Sequence, residues 1–189
     1  MKLYFNPKSR AVIAKWMLDE CEVEYEIVPI DLEAKQQKSP EYLAINPAGK
    51  LPALVDGTTK IFEGAAIALY LGDKFPPMKL APPIGSTDRG RYLSLMVYST
   101  AQLEPAMGDT LLKQETSSSR GWTNFETAKD VIERELGDGE YLFGEQFTMA
   151  DIMNGSMFLW ARVWGTKTGR PKLEAWLDRL AARPHAMKM

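Results

Sequence analysis

The chain has 189 residues, 45% of them hydrophobic and 25% charged, an ordinary globular composition with length for one large or two small domains. Lys and Arg total 23 against 25 Asp and Glu, and a formal net charge of −2 argues against a dedicated nucleic-acid binder. One cysteine, Cys21, excludes an intrachain disulfide and a C-x-x-C redox pair, and one histidine, His185, excludes a zinc site built from Cys and His.

In chain order, Lys2–Phe5 reads as a short apolar strand ended by Asn6-Pro7. Ser9 then stands where an N-cap belongs, before a helical pattern with Ala14, Met17, Leu18 and Cys21 on one face. Residues 25–30 read as a second strand, and Ser39-Pro40-Glu41 opens a short helix with proline in its first turn. Residues 51–55 and 60–62 are strands around the hairpin signal Asp56-Gly57, and 63–74 is an alanine-rich helix stopped by Pro76-Pro77. The order βαβ, short helix, ββα predicts a small mixed sheet with helices on it.

From about residue 86 the strand signals vanish. Residues 89–113 carry Tyr92, Leu95, Met96, Ser99 and Leu103 at helical spacing, and the Ser/Thr-rich stretch 115–120 is a connection. Phe125, Ala128, Ile132 and Leu136 line a second helix, closed by Gly137-Asp138-Gly139. Residues 148–164 are apolar nearly all round, which places that helix at the centre of a bundle. Leu173, Trp176, Leu177 and Leu180 form a last helix before Arg183-Pro184. The expected organisation is a mixed α/β domain over 1–76, a linker over 77–85 and an all-helical domain over 86–189. The longest strongly apolar stretch, 65–71, is far too short for a membrane span, no signal peptide is evident, and a cytoplasmic location is expected. No G-x-S-x-G turn accompanies His185 to suggest a serine-hydrolase triad.

Four stretches carry a family resemblance: Leu3-Tyr4-Phe5-Asn6-Pro7-Lys8-Ser9-Arg10; Asn46-Pro47-Ala48-Gly49-Lys50-Leu51-Pro52-Ala53-Leu54; Phe62-Glu63-Gly64-Ala65-Ala66-Ile67; and Phe147-Thr148-Met149-Ala150-Asp151-Ile152. Leu103-Glu104-Pro105-Ala106 adds to them. In order and spacing they resemble the glutathione transferase family, of the bacterial soluble type, over nearly the whole chain. The resemblance implies a thioredoxin-like N-terminal domain followed by an all-α domain, usually dimeric, with reduced glutathione as co-substrate, no metal, and no nucleic-acid or membrane partner.

Such an enzyme must populate a thiolate near neutral pH, and helix N-termini and hydroxyl donors favour that charged form. By the resemblance, Ser9 donates to the glutathione sulfur; as a plain serine before a helix it is equally an N-cap. Arg10 can supply positive charge to the sulfur or to a carboxylate, or be a solvated helix residue. The resemblance further implies a cis Leu51–Pro52 bond that turns the Leu51 backbone toward the cysteinyl backbone of glutathione. Lys50, assisted by Lys38, would meet the glycyl carboxylate, although both also suit a solvated surface. The helix start at Glu63 and Gly64 would hold the γ-glutamyl carboxylate while Glu63 accepts from its ammonium. The family usually has serine where this chain has Gly64, which removes one hydroxyl donor.

Thr148 and Asp151 read as a structural capping box, and Cys21 as an inert core thiol. A pocket for a hydrophobic electrophile is expected between the domains, with Tyr98, Gln102, Met107 and Trp160 as candidates. A dimer would use the helix 63–74 against the helical domain, through Ala65, Ala66, Ala68, Arg89 and Tyr92. The leading expectation is therefore a transferase that conjugates glutathione to a hydrophobic electrophile for detoxification. The alternatives are a glutathione-dependent isomerase or dehalogenase, and a non-catalytic dimerisation or protein-binding module.

Overall fold

The structure is a computed structural model that describes residues 1–188; residue 189, the end of the expected helical domain, lies outside the described residues. Strands β1 (Lys2–Phe5), β2 (Glu26–Pro29), β3 (Ala53–Asp56) and β4 (Thr59–Phe62) form one mixed sheet in the order β2-β1-β3-β4. β1 runs parallel to β2, with Leu3 opposite Ile27, and antiparallel to β3, with Leu3 opposite Leu54. The β1–β2 crossover is made by α1 (Ala11–Glu20), and α2 (Pro40–Leu43) and α3 (Gly64–Lys74) complete the N-terminal domain. This is the expected α/β arrangement of thioredoxin-like type.

Local chemistry explains the boundaries. Ser39 caps α2 by accepting from the Tyr42 N–H at 3.3 Å. Ser9 acts one residue earlier than an ideal N-cap: α1 begins at Ala11, and the Ser9 Oγ accepts from the Ala11 N–H at 3.2 Å. The Leu51–Pro52 bond is cis, as the resemblance implied, and β3 begins after it, two residues later than the sequence pattern suggested.

The helical domain contains α4 (Asp88–Tyr98), α5 (Glu104–Leu111), α6 (Phe125–Leu136), α7 (Met149–Val163) and α8 (Pro171–Ala181). The single helix expected over 89–113 is instead two α-helical segments joined by a π turn over Ser99–Leu103. Pro105 has no N–H to give to the carbonyl four residues back, and the Glu104 N–H reaches the Ser99 carbonyl five residues back. The wider winding is held by tertiary contact, since the buried Ser99 hydroxyl donates to the Met153 carbonyl of α7 at 2.9 Å.

One continuous core runs through both domains. Leu3, Trp16, Met17, Leu54, Ile67 and Leu71 from the α/β part pack in the same cluster as Tyr92, Met96, Met149, Ile152, Met153 and Phe158. Helix α7 is buried on every face from Met149 to Leu159, as its all-round apolar sequence anticipated. Its start is the expected capping box, in which the Thr148 hydroxyl accepts from the Ala150 N–H and the Asp151 carboxylate accepts from the Thr148 N–H at 2.9 Å. Asp151 also accepts from the Leu142 N–H at 2.8 Å and the Trp176 indole N–H at 3.1 Å. Burial pushes its carboxyl up to about 6 while these donors pull the other way.

Two of the residues expected at a dimer surface are interior here: Ala68 and Tyr92 are fully buried within the chain. Arg89 is spent on Asp73, at 2.8 Å, and on the Pro82 carbonyl. The exposed apolar residues of α4 are Leu93 and Val97.

Two measurements follow from this packing. Asp151→Ala strands three buried N–H groups, each worth about 1–3 kcal/mol when left unpaired, so urea unfolding is expected to show a loss of at least about 3 kcal/mol. Cys21 is buried, and desolvation together with the nearby Glu20 charge pushes its thiol up to about 12. A chromogenic disulfide reagent should therefore leave the native thiol unlabelled over minutes and label it stoichiometrically in urea.

Candidate active site

The cleft between the two domains encloses about 380 Å³ and is lined on one side by Arg10, Lys50, Leu51, Pro52, Glu63 and Gly64. Thr100, Glu104, Met153 and Met157 of the helical domain face them. Six of the residues selected from sequence are thus brought to one cavity, and three separate loops put them there.

The first loop is the turn from Asn46 to Pro52. Asn46 is buried, donates to the Lys50 carbonyl at 2.8 Å and accepts from the Ala48 N–H at 3.0 Å. The Tyr42 hydroxyl donates to the same Lys50 carbonyl at 2.6 Å. Gly49 takes φ +59, and a Cβ there would stand 2.8 Å from the Gln37 carbonyl, so the turn closes only with glycine. The result is a braced edge that brings Lys50 and Leu51 to the cleft. Lys38 is not on this lining; its ammonium is exposed and donates to the Ala48 carbonyl at 3.1 Å, bracing the turn from behind.

The second loop is the corner between β4 and α3. Glu63 has φ +69 and ψ 125, a backbone conformation that side chains rarely adopt and that costs on the order of 1–3 kcal/mol. It turns the chain so that α3 starts at the cleft, where the first amides from Gly64 onward have no carbonyl within the helix to bond. Unpaired amides and the positive end of the helix dipole make this a place for a carboxylate. A side chain at Gly64 would meet only the Met153 sulfur and methyl at 3.7 Å, ordinary contact, so the hydroxyl missing here is not excluded by space.

The third loop leads into α1. The Ser9 hydroxyl donates to the Asn6 carbonyl at 2.7 Å and is half-buried, and Ser9 is not among the residues lining the cleft. Arg10 is. Its Nε donates to Glu104 Oε1 at 2.9 Å across the domain boundary, and its guanidinium lies 4.8 Å from the centre of the Trp160 ring.

Arg10 and Glu104 also border a second, more apolar hollow of about 590 Å³, completed by Met107, Gly108, Leu111, Leu112 and Trp164. Of the four residues considered for an electrophile pocket, Met107 lines this hollow and Trp160 supports Arg10. Tyr98 and Gln102 lie on another face, in a shallow depression with Leu93, Val97 and Ala101. The cleft residues not singled out from sequence are Ile13, Asn46, Thr100, Glu104, Met153 and Met157. Pro105 after a polar Glu104 was the one local signal that this helix is irregular where it faces the site.

Comparison with known proteins agrees with this geometry. The family model for the glutathione S-transferase N-terminal domain matches residues 1–73, and that for the C-terminal domain matches residues 115–179. The chain is 30% identical to glutathione S-transferase 3 of Zea mays, covering 100% of this chain and 92% of that one. It is 28% identical to glutathione S-transferase GstA of Escherichia coli, covering 97% and 94%. A sphingomonad glutathione S-transferase complexed with glutathione superimposes with a TM-score of 0.77 at 29% identity, covering 98% of this chain and 95% of that one. With its thioredoxin-like sheet, its helical second domain and a cleft between them built from the motifs of residues 46–54 and 62–67, the chain belongs to the glutathione S-transferase family of enzymes.

Proposed function

We propose that the protein conjugates reduced glutathione to a hydrophobic electrophile, with the tripeptide along the N-terminal wall of the cleft and the electrophile against the helical domain. The observation that carries this reading is that Lys50, Leu51 and the Glu63–Gly64 corner line one wall of the same cleft. The Glu63 carboxylate and the amides at the start of α3 suit the ammonium and carboxylate of a γ-glutamyl group. The Leu51 backbone, freed by the following proline, suits the amide of a cysteinyl residue. Lys50 suits the glycyl carboxylate, with Lys38 holding the turn that carries it.

This pose sends the thiol toward the start of α1, where Ser9 would donate to the sulfur. The serine hydroxyl has one proton, which it gives to the Asn6 carbonyl in this structure. Rotation of that hydroxyl toward the sulfur exchanges one hydrogen bond for a charge-assisted one, which favours the thiolate. Proximity of two bound reactants and a populated thiolate then supply the rate. The 590 Å³ hollow beside Met107 and Leu111 is the place for the apolar body of the electrophile. We further propose a cytoplasmic homodimer acting in detoxification, with 1–76 and 86–189 as its domains and the exposed Leu93–Val97 side of α4 in the subunit contact.

Calorimetric titration with reduced glutathione tests the reading. Binding in the micromolar to millimolar range is expected, and no heat at about 10 mM ligand would overturn it. Ser9→Ala is expected to retain glutathione while raising the pKa of the bound thiol and lowering turnover at neutral pH. Gly64→Ser restores a hydroxyl donor at the start of α3 where there is room for it. It is expected to tighten glutathione by roughly 0.5–1.5 kcal/mol, up to about tenfold in the same titration.

A further inference from the structure

A separate cavity lies on the opposite flank of α1 from the interdomain cleft. Arg10 and Ile13 line the cleft, whereas Val12, Lys15 and Asp19, spaced as i, i+3 and i+7 on one helical stripe, line the other cavity. There the segment after α8 returns beside α1 and the end of β1, and the space between them is about 460 Å³, more than the cleft holds. Small-molecule sites typically enclose about 300–1,000 Å³.

The apolar part of the lining is Phe5, Val12 and Met187, and Trp16 adds ring carbon only, since its single N–H is given to Glu20 at 2.9 Å. The polar part has more donors than acceptors. Asp19 is met on both oxygens, by the Tyr25 hydroxyl at 2.6 Å and by the Lys15 ammonium at 2.7 Å. That bond uses one of the three Lys15 N–H donors. His185 and Lys188 line the cavity without a side-chain hydrogen bond or ion pair among the described residues. Two lysines against one aspartate also leave the lining cationic.

An apolar wall beside spare cationic donors matches a ligand with an apolar body and one anionic oxygen group. The donors are lone ammonium and imidazole groups with no arginine fork, which suits a carboxylate better than a phosphate. The Asp19 charge beside them opposes the second negative charge that a phosphate monoester carries.

We propose that this cavity is a binding site for an apolar monocarboxylate, whose carboxylate is held by Lys15 and the His185–Lys188 segment and whose body lies against Phe5, Val12 and Met187. The site is separate from the glutathione cleft and does not depend on the transferase reading.

His185 is the only histidine in the chain, so its imidazole proton signal in the NMR spectrum of the untagged protein is a reporter for this cavity. Titration with 4-phenylbutyrate at constant pH is expected to move that signal saturably. 4-Phenylbutyramide, which keeps the body and lacks the charge, is expected to bind at least about tenfold more weakly, the loss of a charge-assisted hydrogen bond. Lys15→Met should weaken 4-phenylbutyrate by a similar factor, and Ala186→Trp, which fills the cavity, should abolish the response. The comparison of acid with amide uses the wild-type chain and stands whatever a variant does to folding. No movement of the His185 signal at about 10 mM ligand would overturn the proposal. So would heat of binding without movement of that signal, which places the ligand elsewhere. Equal affinity for acid and amide, unchanged affinity in Lys15→Met, or tighter binding of phenyl phosphate would each overturn it as well.

Discussion

A carboxylate buried at the start of the central helix fixes most of the architecture. Asp151 has no access to water, so its charge must be met by protein donors, and those donors come from three places: the Thr148 cap, the Leu142 amide and the Trp176 indole. Meeting them sets the direction of α7, the loop before it and the docking of α8. The same helix then distributes its polar groups outward. Asn154 donates to the Leu95 carbonyl of α4 at 3.2 Å, and the Met153 carbonyl accepts from Ser99 in the π turn. Met153 and Met157, one turn apart, become the floor of the cleft. The site is thus positioned from the interior of the helical domain, and a rigid α7 is what allows the α/β wall to face something definite.

Two ion pairs attach α1 to that interior, one at each end, and they differ in kind. At its C-terminal end Glu20, with a side chain only 5% exposed, accepts from Arg183 Nε and Nη2 at 2.8 and 2.6 Å and from the Trp16 indole at 2.9 Å. The Arg183 guanidinium also lies 3.6 Å from the centre of the Phe147 ring. Removing one partner from such an assembly leaves a buried charge uncompensated, so this end is fixed. At the N-terminal end Arg10 and Glu104 are 31% and 37% exposed and share one hydrogen bond. Pairs exposed to that degree contribute up to about 1 kcal/mol and rearrange at little cost. The helix is clamped at the end away from the cleft and loosely tethered at the end that lines it.

How much of this was legible in the sequence follows the range of each interaction. The capping box, the Ser39 cap, the buried α7 and the inert Cys21 were all readable, because their causes lie within a few residues or in simple periodicity. The lining of one wall at Lys50–Pro52 and Glu63–Gly64 was readable through the family resemblance, whose motifs there are short and contiguous in sequence. The π turn was not, since it needs both the missing Pro105 N–H and the Ser99 bond to Met153, 54 residues away. Arg10 with Glu104 spans 94 residues and Glu20 with Arg183 spans 163, separations at which periodicity carries no information. Ala68 and Tyr92 were misplaced for the same reason: an amphipathic pattern shows that a face is covered, not whether this chain or a second copy covers it.

The corner at Glu63 shows how the fold supports a strained site. Its left-handed backbone conformation is unfavourable by itself, and the following Gly64 adds neither side-chain packing nor a hydroxyl. What holds the corner is burial on either side: Leu54 of β3, paired with Ile61 of β4, and Ile67, Ala68 and Leu71 of α3 are all fully buried. Each large apolar side chain so buried is worth roughly 1.5–3 kcal/mol, enough together to offset the strained residue. What this corner presents to the cleft is a set of backbone amides at a helix start, whose direction does not depend on a rotamer. A site built from backbone tolerates the loss of one side-chain hydroxyl more readily than one built from side chains, because the amides and the dipole behind them remain in place.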